Sequence, residues 1–156
     1  MSASIDRVRA ALGAAGLDVR LERFDAGTRT AADAAAAIGV SEGQIVKSMV
    51  FTVPSGEPVL ALASGTNRVD EERLAVLLGA AVSRPGGAQV RELTGFAIGG
   101  VPPLGHMPQP TTILDEDLWR YTEIWAAAGT PRDVFATTPD DLLRATKGTR
   151  AAIAAG

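Results

Sequence analysis

The sequence lacks the residues on which several kinds of functional site depend. Its 156 residues include no cysteine, and therefore no disulfide bond, no thiolate metal site and no cysteine nucleophile. His106 is the single histidine, whereas zinc normally takes several nitrogen or sulfur ligands. A Ser-His-Asp triad is disfavoured because no serine lies in a nucleophile-elbow context. We therefore expect no metal ion and no other cofactor.

Long apolar runs and strong net charge are also missing. No segment is apolar and long enough to cross a bilayer, and the N-terminus has no basic start followed by an apolar block. The net charge of -3 gives no general attraction to nucleic acid, so an RNA partner would need a local patch of arginines. These features predict a cytoplasmic protein that binds neither membrane nor DNA. The length predicts a single domain over residues 1–156.

Lysine is scarce, because only Lys47 and Lys147 among the 15 basic residues are lysines. Lys47 lies in the segment QIVKSMVFTV (44–53), whose alternation predicts a strand with Lys47 on the same, more apolar face as Ile45 and Met49. One interpretation is that the ammonium reaches water from a strand end. The other is that a compact cation, which suits a narrow site better than arginine does, points into a pocket and binds a carbonyl or phosphate oxygen.

The overall pattern predicts an α+β fold with a mixed, curved (barrel-like) β-sheet flanked by helices. The lysine strand and the run at 58–63 are separated by the turn sequence PSGE and are expected to pair as an antiparallel hairpin. Apolar spacing and capping residues predict helices near the N-terminus, after Thr30, within 68–79 and after Thr138. A short helical turn is expected at 88–93, and shorter strands near 96–98 and at 111–115, 121–128 and 133–137.

The segment GFAIGGVPPLGH (95–106) is a second candidate for a functional site. Glycines let backbone N–H groups approach a ligand and prolines fix the turn that presents them, as in anion nests and oxyanion holes. An ordinary connection between strands would have a similar composition. The adjacent acids Asp115, Glu116 and Asp117 are interpreted as satisfying a helix N-terminus. The sequence contains no P-loop and no G-x-G-x-x-G motif, which disfavours phosphate-cradling nucleotide enzymes.

Taken together, these segments resemble the YbaK/EbsC family of prolyl-tRNA-synthetase-associated editing domains, from about residue 20 to residue 148. The resemblance rests on TAADAAAAIGV, QIVKSMVF, PVLALASGTNRVD, TGFAIGGVPPLGH, ILDEDL, IWAAAG and TTPDDLLRAT, in this order. It implies an aminoacyl-tRNA deacylase that acts in trans on the ester of a wrongly charged tRNA, usually a tRNA for proline carrying a small amino acid. The implied partners are the acceptor end of the aminoacyl-tRNA and an aminoacyl-tRNA synthetase.

The resemblance also implies roles for particular residues. Lys47, Gly99 and Gly100 would be catalytic: Lys47 would hold the ester carbonyl or the terminal phosphate, and the loop N–H groups would stabilise the developing oxyanion. A positioned water would attack, without a side-chain nucleophile. The implied substrate-binding residues are Phe24, Thr30, Met49, Val101, Pro103, His106, Trp125 and Ala127.

The implied amino acid is not unique. Family members associated with removal of cysteine carry a serine where this chain has Ala127, so removal of cysteine is not implied. Alanine, serine, threonine and 2-aminobutyrate all stay open, because a pocket discriminates by only about 1–3 kcal/mol per methylene. Two other functions stay open as well: a non-catalytic module that binds aminoacyl-tRNA or a synthetase, and a hydrolase of small nucleotide or acyl esters.

Overall fold

A computed structural model describes residues 3–17, 20–24, 30–106 and 108–155, and confirms the α+β class. The helices are α1 (Ala3–Ala14), α2 (Ala31–Ile38), α3 (Glu71–Leu78), α4 (Gly87–Thr94) and α5 (Pro139–Thr146). The strands are β1 (Leu21–Arg23), β2 (Val46–Thr52), β3 (Pro58–Ser64), β4 (Thr111–Asp115), β5 (Ile124–Ala127), β6 (Asp133–Thr137) and β7 (Thr149–Ala151). Two 3-10 turns, Glu42–Gln44 and Glu116–Arg120, precede β2 and follow β4. No helix in the described part of the chain has both the length and the apolar character to span a bilayer.

Local capping residues fix where the helices begin. Thr30 caps α2, with its Oγ1 accepting from Asp33 N at 3.0 Å, and Thr138 caps α5 through Asp141 N at 3.1 Å. Such caps satisfy amide groups that have no partner within the helix. The predicted helices after these two residues are therefore confirmed.

The strands form two sheets instead of one continuous barrel-like sheet. One sheet has the order β2-β3-β4-β7, and its first pair is the predicted antiparallel hairpin, whereas β3-β4 and β4-β7 are parallel. The other has the order β1-β6-β5 and is antiparallel throughout. An isolated bridge between Ile45 and Trp125 joins the start of β2 to β5. The junction between the sheets therefore lies directly beside Lys47.

Both faces of the four-stranded sheet are covered, which explains why β3 is a nearly continuous apolar run. On one face Leu60 and Leu62 pack with buried residues of α1 and α5. On the other face Ala61 packs with Phe51 and with Leu74 of α3. A third, smaller cluster lies at the sheet junction, where α2 covers Ile45, Trp125 and Val134.

One prediction of secondary structure was wrong, and another gave an element that is too short. The strand expected near 96–98 is a turn, because Gly95 and Gly99 both adopt positive φ values, +79° and +91°, that a strand does not allow. The helical turn expected at 88–93 is a full helix, α4. The short edge strand β7 was not predicted from the sequence. Its three residues, TRA, are too few to show an alternation of apolar and polar side chains.

Candidate functional site

A cavity of about 620 Å³ opens at the junction of the two sheets. Its wall combines the first turn of α2, the start of β2, strand β5 and two loops, one at 98–101 and one at 130–131. The lining residues are Thr30, Ala31, Ala32, Ala34, Glu42, Ile45, Val46, Lys47, Ser48, Met49, Gly65, Ile98, Gly99, Val101, Trp125, Ala126, Ala127, Thr130, Pro131 and Val134. Lys47 and Glu42 carry the charges on this wall, and most of the remaining wall is apolar.

Lys47 occupies a gap between two apolar clusters on one face of β2. Ile45, two residues before it, belongs to the cluster under α2, and Phe51, four residues after it, belongs to the cluster under α3. The half-buried Lys47 side chain between them lines the cavity. This placement agrees with the second interpretation of the sequence pattern, in which the cation points into a pocket.

The surroundings of Lys47 shift its pKa in opposite directions. Burial lowers the pKa of Lys47 below its ordinary value of 10.5, because a desolvated ammonium is costly. The carboxylates of Glu42 and Asp115 raise this pKa and so offset part of the effect, and the guanidinium of Arg84 lowers it. The site therefore holds a cation that is less hydrated than a surface lysine.

The ammonium of Lys47 is held by a polar network. Its Nζ donates to the backbone carbonyl oxygen of Asn67. The side-chain Nδ2 of Asn67 in turn donates to Asp115 Oδ2 at 2.8 Å and to Asp117 Oδ2 at 2.7 Å. Asp115 is fully buried, and it also caps the 3-10 turn Glu116–Arg120 by accepting from Asp117 N at 2.9 Å. The interpretation of the acidic cluster as a helix cap is thus confirmed for Asp115. Asp115 also accepts the hydrogen bond from Asn67, which that interpretation did not include.

The glycine-rich loop enters the cavity as a reverse turn. Gly100 N donates to Ala97 O at 3.0 Å, and Gly99 at the third position of this turn has φ +91°, as in a type II turn. Gly100 lies against the loop that follows β5, since a Cβ added there would be 2.7 Å from Thr130 Cα. The close approach of these two loops closes one side of the cavity.

The cavity brings together most of the residues that the sequence suggested. Lys47 and Gly99 of the three catalytic candidates line it, as do five substrate-binding candidates: Thr30, Met49, Val101, Trp125 and Ala127.

Four of the suggested residues lie away from the cavity wall. Gly100 is buried behind the turn, and its N–H is occupied by Ala97 O. Phe24 packs against the cluster under α2, and the carbonyl of the buried Pro103 accepts from Gln109 Nε2 at 2.9 Å. His106 lies within hydrogen-bond distance of Pro102 O, with its Nε2 at 2.8 Å, and lines a different cavity. The predicted roles of these four residues, like those of the seven on the cavity wall, stay predictions.

That second cavity, about 720 Å³ in volume, lies between α1 and the end of α5. Alanines of α1 form much of its wall, and Arg7, Arg144 and Lys147 are the cations among its lining residues. Two of these cations already have partners, because Arg144 pairs with Asp141 at 3.2 Å and Arg7 donates to Gly105 O at 3.1 Å. Lys147, the third cation, is exposed at the end of α5, whereas Lys47 is half-buried.

Several site residues were missed by the sequence analysis. Ile98 is a large apolar side chain that is 60% exposed at the cavity wall, and Gly65 allows the chain to pass Glu42 O, since a Cβ there would be 2.2 Å from that oxygen. Ser48 also lines the wall, and its buried Oγ has no hydrogen-bond partner among the described residues. The sequence indicated only that Asn67 lies in a turn after β3, because its contact with Asp115 forms only in the folded chain.

The fold and the cleft define the class: an α+β protein whose junction between two sheets presents one ammonium and a glycine turn to a small, mostly apolar cavity. The sequence pattern described as the aminoacyl-tRNA editing domain matches residues 25–145. The chain therefore belongs to the aminoacyl-tRNA editing domain family.

Similarities to individual proteins support the same family. A solved structure described as a proposed trans-editing enzyme for prolyl tRNA synthetase is 46% identical, with a TM-score of 0.93, over 100% of this chain and 99% of that chain. EbsC of Enterococcus faecalis, described as a proposed Cys-tRNA(Pro)/Cys-tRNA(Cys) deacylase, is 29% identical over 76% of this chain and 73% of its own length. A proline–tRNA ligase of Maridesulfovibrio salexigens is 34% identical over 51% of this chain but only 14% of its own length.

Proposed function

We propose that the protein is a trans-editing deacylase that hydrolyses the ester of a mischarged aminoacyl-tRNA. The observation that carries this proposal is the presence of the Lys47 ammonium and the Gly99 turn on the wall of one cavity. Membership of the editing-domain family supports the same reaction. The proposal takes residues 1–156 as one editing domain that works in the cytoplasm.

In the proposed reaction the protein positions groups and water supplies the nucleophile. The water oxygen adds to the ester carbonyl carbon, and the bond from that carbon to the ribose oxygen then breaks. The water loses a proton as it adds and the ribose oxygen gains one as it leaves, so the products are the free amino acid and uncharged tRNA. An activated ester needs no strong side-chain nucleophile for this step, provided that the water and the ester are held in the correct geometry.

Lys47 would stabilise charge on the substrate. An ammonium has three N–H donors, and a cation in a partly desolvated cleft attracts an ester carbonyl or phosphate oxygen more strongly than it would in water. The loop around Gly99 would stabilise the developing oxyanion through its peptide N–H groups. The N–H of Gly100 donates to Ala97 O, so we assign this role to loop amides other than that of Gly100.

The cavity wall offers the amino acid a mostly apolar surface. Met49, Trp125 and Ala127 form apolar parts of the wall, and Ser48 contributes a hydroxyl with no partner among the described residues. Because each methylene is worth only about 1–3 kcal/mol, such a wall would discriminate modestly among alanine, serine, threonine and 2-aminobutyrate. A tRNA for proline is the favoured carrier, and a prolyl-tRNA synthetase the favoured partner, because the similar proteins are described in these terms.

A deacylation panel tests the proposal. Samples of tRNA for proline charged with alanine, serine, threonine, 2-aminobutyrate or cysteine are incubated with the protein, and correctly charged prolyl-tRNA serves as the control. We expect release of at least one small amino acid and slow release of proline. Tight tRNA binding without release of any amino acid would contradict a deacylase and favour the non-catalytic binding module. Hydrolysis of free amino acid esters that tRNA does not inhibit would instead favour a small-ester hydrolase.

A further inference from the structure

We propose that Asn67 is the positioning residue for Lys47: its backbone carbonyl fixes the ammonium, and its side chain, locked by Asp115 and Asp117, fixes the carbonyl. This inference rests on the proposed function and adds a residue to which the sequence analysis gave no role. Asn67 itself does not line the cavity, so it would act through Lys47 and not on the substrate.

The anchor of this arrangement is the buried carboxylate of Asp115. Asp115 is 0% exposed, and a buried carboxylate is costly unless N–H groups satisfy it. Its Oδ2 accepts from Ser64 N at 3.0 Å and from Asn67 Nδ2 at 2.8 Å, and its Oδ1 accepts from Asp117 N. These three bonds tie the turn after β3 to the end of β4.

The turn that carries Asn67 is held from two further sides. Asn67 N donates to Ser64 O at 2.8 Å, and Ser64 Oγ donates to Gly43 O at 2.6 Å, in the 3-10 turn before β2. Asp117 uses its two oxygens separately, because Oδ2 accepts from Asn67 and Oδ1 pairs with Arg120 Nε at 3.3 Å. The Asn67 carbonyl therefore cannot move without breaking several hydrogen bonds.

A fixed carbonyl matters because the lysine side chain is flexible. A free lysine has roughly 2 kcal/mol of rotamer entropy, which a bound substrate would otherwise have to overcome. The Asn67 carbonyl occupies one of the three N–H donors of the ammonium and leaves two for substrate oxygens. The network thus presets the position of the cation before substrate binds, which lowers the cost of reaching the reactive geometry.

The kinetic test compares Asn67→Ala with Asp140→Ala. Asp140 serves as the control, because its side chain also makes a side-chain hydrogen bond, accepting from Trp119 Nε1 at 2.8 Å, but outside this network. We expect Asn67→Ala to lower kcat/KM about 10- to 100-fold, as for loss of positioning, and Asp140→Ala to leave it unchanged. In the Lys47→Ala background, Asn67→Ala should cause no further loss, because the two residues act as one unit. A loss by the same factor in both backgrounds would overturn the proposal.

A second readout does not depend on activity. The chain has only two lysines, so 13C labelling of the lysine ε-carbon gives one signal for Lys47 and one for the exposed Lys147, an internal reference. The groups that act on the titration of Lys47 are Glu42, Asp115 and Arg84. In Asn67→Ala we expect the released ammonium to reach water, so that the Lys47 signal changes and its pKa rises toward the ordinary value of 10.5. A Lys47 signal that does not change would overturn the proposal.

These experiments separate failure of the inference from failure of the proposed function. If the wild-type protein releases no amino acid from any tRNA, the proposed function fails, and the lysine spectra still decide whether Asn67 positions Lys47. If Asn67→Ala does not fold, Asp117→Ala removes one of the two carboxylate partners and carries the same tests. An unchanged Lys47 signal in that variant would likewise count against the proposal.

Discussion

Lys47 presents its charge in a confined space at the junction of the two sheets. It extends from a strand between two apolar clusters into a cavity of about 620 Å³, and it must present its charge to a carbonyl already fixed at Asn67. A guanidinium is broad and planar, whereas an ammonium is compact and turns its three donors freely. The identity of the cation, and not only its charge, should therefore matter.

Replacing Lys47 by arginine tests this residue-scale claim. We expect Lys47→Arg to keep the charge but to lower kcat/KM about tenfold or more, because the guanidinium overshoots the position of the ammonium. Lys147→Arg is the control, since Lys147 is exposed at the end of α5 and outside this cavity. Equal activity of Lys47→Arg and the wild-type protein would mean that any positive charge near this position is sufficient for activity, and would contradict the claim.

His106 gives a second prediction at the residue scale, concerning stability. Burial lowers the pKa of His106 below its ordinary value of about 6.5, although its hydrogen bond to Pro102 raises that pKa and Arg7 lowers it further. The unfolded chain then binds a proton at higher pH than the folded chain does. The free energy of unfolding should therefore fall as the pH decreases from about 6.5 toward the lower pKa of the folded state.

Denaturant unfolding at a series of pH values measures this effect. Each unit between the two pKa values corresponds to about 1.4 kcal/mol of lost stability at low pH. As the only histidine, His106 can be tested by His106→Gln, in which this part of the pH dependence should disappear. If the free energy of unfolding of His106→Gln changes with pH near pH 6 as steeply as that of the wild-type protein, groups other than His106 cause this pH dependence and the prediction is wrong.

At the scale of elements, the glycine-rich loop depends on its contact with the loop after β5. Gly100 has no room for a side chain, because a Cβ would lie 2.7 Å from Thr130 Cα and 3.0 Å from Gly129 O. These are backbone atoms, which cannot move aside as the end of a flexible side chain can. The separation of the two loops sets the width of the cavity between Gly99 and Pro131.

Gly100→Ala should push these loops apart. We expect a loss of about 1–3 kcal/mol in the free energy of unfolding, as for overpacking, together with reduced deacylation. Gly13→Ala is the matched control, because a Cβ at Gly13 in α1 meets no atom within 4 Å. That change should stabilise the protein by up to about 1 kcal/mol, since alanine favours helices. Thermal or urea unfolding measures the stability of both variants. A Gly100→Ala variant as stable as the wild-type protein would contradict the packing argument.

Elements with strong local signals were predictable from the sequence. The hairpin β2-β3 follows from alternation and a turn sequence, and α5 follows from Thr138, Pro139 and an amphipathic pattern. The cation Lys47 stood out for the same reason, because it interrupts an apolar strand face. The class of fold and the lysine on the wall of the candidate site were therefore predictable without coordinates.

Features that depend on contacts distant in sequence were not predictable. The division into two sheets depends on how β6 pairs with β1 across more than a hundred residues, and with β5 on its other side. The link from Asn67 to Asp115 spans 48 positions, and neither residue has a pattern that reveals the other. The separation of His106 from the cavity has the same origin, because the turn at 102–106 directs it toward α1.

For the whole molecule, the central claim is that one ammonium and one glycine turn act on the same ester. Single-turnover deacylation of the best mischarged tRNA, with Lys47→Ala compared against Lys147→Ala, tests it most directly. We expect Lys47→Ala to lose roughly 100-fold or more in rate while it still binds tRNA, because removing one preorganised donor costs about 3 kcal/mol in the transition state. Lys147→Ala should match the wild-type protein. Wild-type rates in the folded Lys47→Ala variant would contradict the account.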